Sequence, residues 1–284
     1  MLDIIRTTID VGLTEPVRVL HTTDTHLTLC DERDDERKQA LAAHRKKDFG
    51  DVNGSVENYL AETLEYGKKN CDLIIHTGDL IDFVSEANID RAAAVTKMPE
   101  VLFVTGNHEY SRYVGEAWED HAYRMNTYMK MQYRLGVDMF FTSRAVKGVN
   151  FVGVDNIYYQ FGDWYIPRLE IEVKKGLPII LLMHNPIYEE TLYTECMDKR
   201  GAGSAGLVGC DETHLMRYPE YRAMQQRPNA DTKRFIEYIS EQSAIKAVIA
   251  GHLHFSYQSL LPCGKMQYIT GGGYNGTARE ITVI

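Results

Sequence analysis

The sequence lacks the marks of several protein classes. Its five cysteines, Cys30, Cys71, Cys196, Cys210 and Cys263, are odd in number and widely spaced, with no C-x-x-C. That excludes a disulfide framework and predicts thiols in a reducing compartment. No apolar run approaches membrane-spanning length. Asp3, Arg6 and Asp10 interrupt the first apolar residues, so no signal-peptide core is visible and a cytoplasmic protein is expected. There is no internal repeat and no low-complexity tract. The net charge is −9, without a block of like charges. This argues against a nucleic-acid surface or an anionic membrane surface. A small anionic substrate stays open, because bound metal can reverse the charge of a site. With 284 residues, 44% of them hydrophobic and 25% charged, the chain can bury a full core unaided. We expect a single domain over residues 1–284.

What is present is one pattern, repeated. Val101, Leu102, Phe103 and Val104 are followed by Thr105, Gly106, Asn107, His108 and Glu109. A short β-branched and aromatic run stopped by glycine predicts a buried strand with polar groups at its carboxyl end. In open α/β sheets ligands bind there. The run from Val17 to Leu20 ends in Asp24 and His26, two residues apart and able to reach one ion. Leu73, Ile74 and Ile75 lead to Gly78 and Asp79. Residues 178–183 lead to His184, and Ala247 to Ala250 lead to Gly251, His252 and His254.

Between these runs lie helix signals. Ser55 is an N-cap candidate before the stripe Val56, Leu60 and Leu64. Residues 85–98, 115–135 and 232–243 also predict helices, and residues 33–47 predict an exposed one. Residues 149–155, 266–270 and 281–284 predict further strands. Residues 163–175 carry no firm pattern. Residues 187–230 hold scattered glycines and tyrosines and no long apolar run, so they are expected to be an insertion or lid over the strand ends.

Seven strand-end side chains can therefore ligate metal: Asp24, His26, Asp79, Asn107, His184, His252 and His254. Imidazoles mixed with carboxylate and amide oxygens suit borderline divalent ions such as Mn, Fe or Zn, where calcium or magnesium would take oxygens almost alone. Seven ligands are too many for one ion with an open position. They suit two divalent ions sharing a carboxylate, an arrangement that can clamp an in-line displacement at phosphorus.

This ordered set resembles the calcineurin-like metallophosphoesterases, from Asp24 through Gly78-Asp79, Gly106-Asn107-His108-Glu109 and His184 to Gly251-His252-Leu253-His254. The resemblance implies an α/β fold, a four-layer αββα sandwich of two mixed β-sheets flanked by helices. It implies one metal on Asp24, His26, Asp79 and His254, and another on Asp79, Asn107, His184 and His252, with Asp79 bridging. It implies hydrolysis of a phosphomonoester or phosphodiester by attack of a metal-bridging hydroxide, with His108 as the proton donor. Glu109 stands where many members have Asp, so we expect it to assist His108 in catalysis. Asp82 and Asp155 are candidate partners of the ligand histidines. The expected partner is a small phosphate-ester substrate. The alternatives are a catalytically degenerate scaffold of the same fold, used for protein binding, and a metal hydrolase acting on a non-phosphorus ester or amide.

Overall fold

Alternation along the strands explains the layering. Leu73 and Ile75 face one core while Ile74, between them, faces another; Ile180 and Leu182 alternate with Ile179 and Leu181 in the same way. A strand covered on both faces is apolar on both, as these are.

The computed structural model describes residues 1–115, 118–200 and 203–284, with residue 200 described in its backbone only. The strands are β1 (Asp3–Ile9), β2 (Val17–Thr22), β3 (Leu73–His76), β4 (Val101–Phe103), β5 (Phe141–Val146), β6 (Val149–Val154), β7 (Ile179–Leu182), β8 (Ile245–Ala250), β9 (Tyr257–Leu260), β10 (Met266–Ile269) and β11 (Thr277–Val283). The helices are α1 (Glu36–Asp48), α2 (Ser55–Asn70), α3 (Glu86–Thr96), α4 (His121–Leu135), α5 (Tyr165–Val173), α6 (Glu190–Arg200), α7 (Glu212–Leu215), α8 (Glu220–Gln226) and α9 (Ala230–Glu241).

One sheet runs β1-β11-β2-β3-β4 and the other β5-β6-β7-β8-β10-β9. Both are mixed: β2, β3 and β4 are parallel while β11 runs antiparallel to β2. Likewise β6, β7 and β8 are parallel, with β5 antiparallel at one edge. Val19, Ile75, Phe151, Ile180 and Ile249 fill the space between the sheets. Truncating Phe151, fully buried there, would cost about 3–5 kcal/mol. On the outer faces, α2 lays Val56, Leu60 and Leu64 toward β3, and α5 packs on β6 and against α9. Two sheets between helical layers give the expected sandwich.

The strands absent from the sequence reading are β1, β5 and β9, and each is a sheet edge. Edge strands keep polar residues on their open side, so their apolar signal is weak. The helix expected from residue 115 starts at His121, where the Asp120 side chain caps it by accepting from Tyr123 N; residues 116–117 lie outside the described residues. Residues 163–175 yield α5.

The segment 187–230 differs more. It has no long apolar run, as a lid over the strand ends would lack one. Yet Leu192, Cys196, Leu207, Leu215 and Tyr218 form a buried cluster against Leu253 and Ile269. Its apolar residues come from α6, α7, α8 and the turns between them, so no single periodicity marks them.

Candidate metal centre

The polar ends of β2, β3, β4, β7 and β8 converge. Asp24, His26, Asp79, His252 and His254 all have positive φ, 51°, 51°, 54°, 70° and 62° respectively. Left-handed backbone at a residue other than glycine costs on the order of 1–3 kcal/mol and persists only where surrounding contacts impose it. Here the loops after β2 and β3 hold each other: Asp24 N donates to Gly78 O and His26 N to Asp79 O, both at 2.9 Å. Glycine is required where these loops touch. A Cβ on Gly106 would lie 2.2 Å from Asp79 Oδ1, and one on Gly251 would lie 2.0 Å from Thr23 Oγ1.

Three groups of candidate ligand atoms result among the described residues: one of Asp24, His26 and His254, one of Asp79, His184 and His252, and a third of His26, Asp82 and His108. The first two are the clusters of expected ligands. In the first, His26 Nε2 faces His254 Nε2 at 3.0 Å, and His254 Nε2 lies 3.3 Å from Asp24 Oδ1. In the second, His184 Nε2 is 3.1 Å from Asp79 Oδ2 and 3.3 Å from His252 Nδ1. Asp79 Oδ2 is also 3.8 Å from His26 Nε2, so this one carboxylate oxygen faces both clusters. The Asn107 Oδ1 atom is buried and accepts no hydrogen bond. Two imidazole nitrogens 3 Å apart need a proton or a cation between them, and a buried amide oxygen without a donor needs one too. The residues present therefore fit divalent cations.

Outer contacts orient three of these histidines. His184 Nδ1 donates to Thr77 O at 2.7 Å, which turns the Nε2 lone pair toward the cluster. His26 Nδ1 meets Asp82 Oδ1 at 3.0 Å, and His252 Nε2 meets Tyr159 Oη at 3.2 Å. Asp82 thus takes the role expected of it. Asp155 does not: its carboxylate pairs with buried Arg124 and accepts from Ile157 N at 2.9 Å.

Electrostatics follow the same plan. Burial opposes ionisation of Asp79, but His184 and His108 beside it hold it below the usual carboxylate range. Burial also opposes protonation of His184, yet Asp79 raises it to about 9. Protons thus sit where cations would, and the two compete for the same lone pairs.

His108 lies at the edge of both clusters. Its backbone N donates to Asp79 Oδ1 at 2.9 Å, and its Nδ1 meets Asp82 O at 2.6 Å. Burial lowers its affinity for a proton, but Asp79 and Asp82 raise it to about 10. With Asn107 and His252 it lines a cavity of about 630 Å³ whose other walls include Trp118, Tyr221 and Arg222.

The contacts of Glu109 differ from those expected. Its carboxylate does not orient the His108 ring. It accepts from Gly106 N at 2.7 Å, Asp79 N at 2.9 Å, Leu80 N at 2.8 Å and Ile81 N at 3.3 Å, and so ties the loop after β4 to the loop after β3. Burial, with Asp79 beside it, pushes its carboxyl up to about 7, against the pull of those N–H groups. Sequence reasoning also missed Arg45, Phe49 and Tyr159 around the histidines. Arg45 and Phe49 sit in or beside a charge-mixed helix that resembles any solvated face.

A family model, calcineurin-like phosphoesterase, matches residues 17–256. The chain belongs to the calcineurin-like phosphoesterases. Family and ligand clusters together make it a phosphoesterase with candidate sites for divalent metal. No curated protein matches the chain. Among solved structures it is similar to a purple acid phosphatase from yellow lupin (Lupinus luteus) seeds, with TM-score 0.50 and 13% identity over 94% of this chain and 45% of that one. It is also similar to a dimetal phosphatase from Danio rerio, with TM-score 0.45 and 12% identity over 92% of this chain and 89% of that one. At these identities the likeness is one of fold. No helix among the described residues is long and apolar enough to cross a membrane.

Proposed function

We propose that the chain hydrolyses small phosphate esters, monoesters or diesters, at a two-metal centre. The observation that carries this is the meeting of two ligand clusters at the single oxygen Asp79 Oδ2. Asp24, His26, Asp79 and His254 would hold one ion, and Asp79, Asn107, His184 and His252 the other. Divalent ions held there would supply water activation at neutral pH and would offset charge gathering on the phosphoryl oxygens.

The chain's own groups do the rest. His108 turns Nδ1 to the Asp82 carbonyl, so its Nε2 is the atom that carries a proton to the leaving oxygen. Asp82 and the Thr77 carbonyl orient His26 and His184. The segment 187–230 contributes Ser204, Gly206, Tyr221, Arg222 and Gln225 to the cavity wall, where a lid would contact the leaving group. A cavity of about 630 Å³ is the size of a small-ligand site. All seven ligand positions hold competent side chains, so nothing favours the degenerate scaffold.

The test is turnover of a panel of nucleotides, cyclic nucleotides, phosphosugars and aryl phosphates by protein loaded with Mn, Fe or Zn. Phosphate or alcohol release from one or more classes is expected. Hydrolysis of carboxylic esters or amides with none of phosphate esters would overturn the assignment.

A further inference from the structure

Helix α1 ends against the first ligand cluster, and it does so through two side chains. The Arg45 guanidinium grips both oxygens of Asp82, Nε to Oδ2 at 2.7 Å and Nη2 to Oδ1 at 2.9 Å. Asp82 Oδ1 in turn holds His26 Nδ1 at 3.0 Å. Phe49, which caps α1, stacks on the His26 ring with centroids 4.4 Å apart and planes 15° apart. Arg45 also lies over the Phe49 ring, 4.8 Å from its centroid. The edge and the face of one imidazole are thus both set by the last turn of a helix outside the ligand motifs.

We propose that Arg45 and Phe49 are positioning residues that aim His26 at its metal and thereby set the affinity of one metal position but not the other. This rests on the two-metal reading above. The physical need lies in Asp82. Its Oδ1 is 3.0 Å from His26 Nδ1 and 3.2 Å from His108 Nδ1, so the carboxylate has two imidazoles to choose between. His108 Nδ1 already has the Asp82 carbonyl at 2.6 Å. The planar fork of Arg45 holds both carboxylate oxygens at once and keeps Oδ1 on His26; a lysine ammonium is a point charge and cannot.

Two effects of removing Arg45 oppose each other. Loss of the fork loosens His26 and weakens metal binding. Loss of a cation near the site strengthens it. Outer contacts of metal-bound histidines are worth roughly 10–100-fold in metal affinity. The guanidinium is already neutralised by Asp82 and Asp48, so the orienting effect prevails. Arg45→Lys separates the two, because it keeps the charge and loses the fork.

The experiment is a calorimetric Mn²⁺ titration of the metal-stripped full chain, for wild type, Arg45→Lys, Arg45→Gln, Phe49→Leu and His26→Ala, with melting curves on the same samples. Wild type should take two ions. Arg45→Lys and Arg45→Gln should bind one ion as wild type does and the other about 10–100-fold more weakly, and Phe49→Leu should weaken the same step. If an arginine variant does not fold, Phe49→Leu carries the test alone. Wild-type affinity for both ions in a folded Arg45→Lys, or tighter binding in Arg45→Gln, overturns the clamp. His26→Ala distinguishes this from failure of the metal assignment: if it too keeps both ions at full affinity, His26 is no ligand and the two-metal reading itself falls.

Discussion

Replacing Glu109 by glutamine should loosen the site before it slows the chemistry. Glu109 is fully buried. Its Oε2 accepts from Gly106 N and Asp79 N, and its Oε1 from Leu80 N and Ile81 N. Glutamine has one oxygen and one NH₂. Whichever way the amide turns, two backbone N–H groups face a donor and lose their acceptor. A buried donor left unsatisfied costs about 1–3 kcal/mol, so the pair costs about 2–6 kcal/mol. Glutamine also sheds the penalty of a buried charge beside Asp79, the cause of the carboxyl's rise to about 7. A net loss at the low end of that range, about 2 kcal/mol, is therefore expected. That is a large share of the stability of an ordinary domain. The assay is urea unfolding of metal-stripped wild type and variant at pH 8, above the value of about 7 to which burial pushes the carboxyl, so that wild-type Glu109 is ionised. The midpoint should fall with an unchanged slope, and metal binding should weaken because the loop that carries Asp79 is no longer tied down. A variant within about 0.5 kcal/mol of wild type that is nonetheless slow with metal bound would refute the tie and return Glu109 to the chemistry beside His108.

Three other outcomes are expected. Asp79→Asn should be the most damaging ligand change, since its carboxylate faces both clusters; full double occupancy at a normal rate would remove it from the centre. His108→Ala should lose roughly 10²–10⁴-fold in kcat on an alkyl phosphate ester and clearly less on a nitrophenyl ester, whose leaving group needs no proton, with metal content unchanged. Equal losses on both esters would remove the proton-donor role. Arg222→Gln and Tyr221→Ala, both at the cavity wall, should change the ranking of substrates by about tenfold or more without loss of metal. Deleting residues 187–230 would strip a buried cluster, so point changes are the cleaner test; an unchanged ranking would sink the lid.

The candidate ligands were legible because each follows an apolar strand, and the strands that carry them are covered on both faces and therefore read clearly. Asp24, Asp79, His184 and His252 could be placed from that alone. The edge strands β1, β5 and β9 could not, since half of each faces no core. The contacts of Glu109 were not legible because its partners are backbone N–H groups, which leave no trace in a sequence. Arg45 was hidden in a helix of mixed charge, where nothing marks the one arginine that points inward. The cluster around Leu192, Cys196 and Tyr218 is assembled from short pieces with no shared period.

We propose that one site binds two divalent ions and uses both to cleave phosphate esters. Titrating Mn²⁺ back into chelator-stripped protein, with bound metal and ester hydrolysis followed together, decides this. Two ions per chain are expected, with hydrolysis absent from the stripped protein and restored only as the second site fills. Hydrolysis at full rate by the stripped protein, or saturation of activity with one ion per chain, would contradict it.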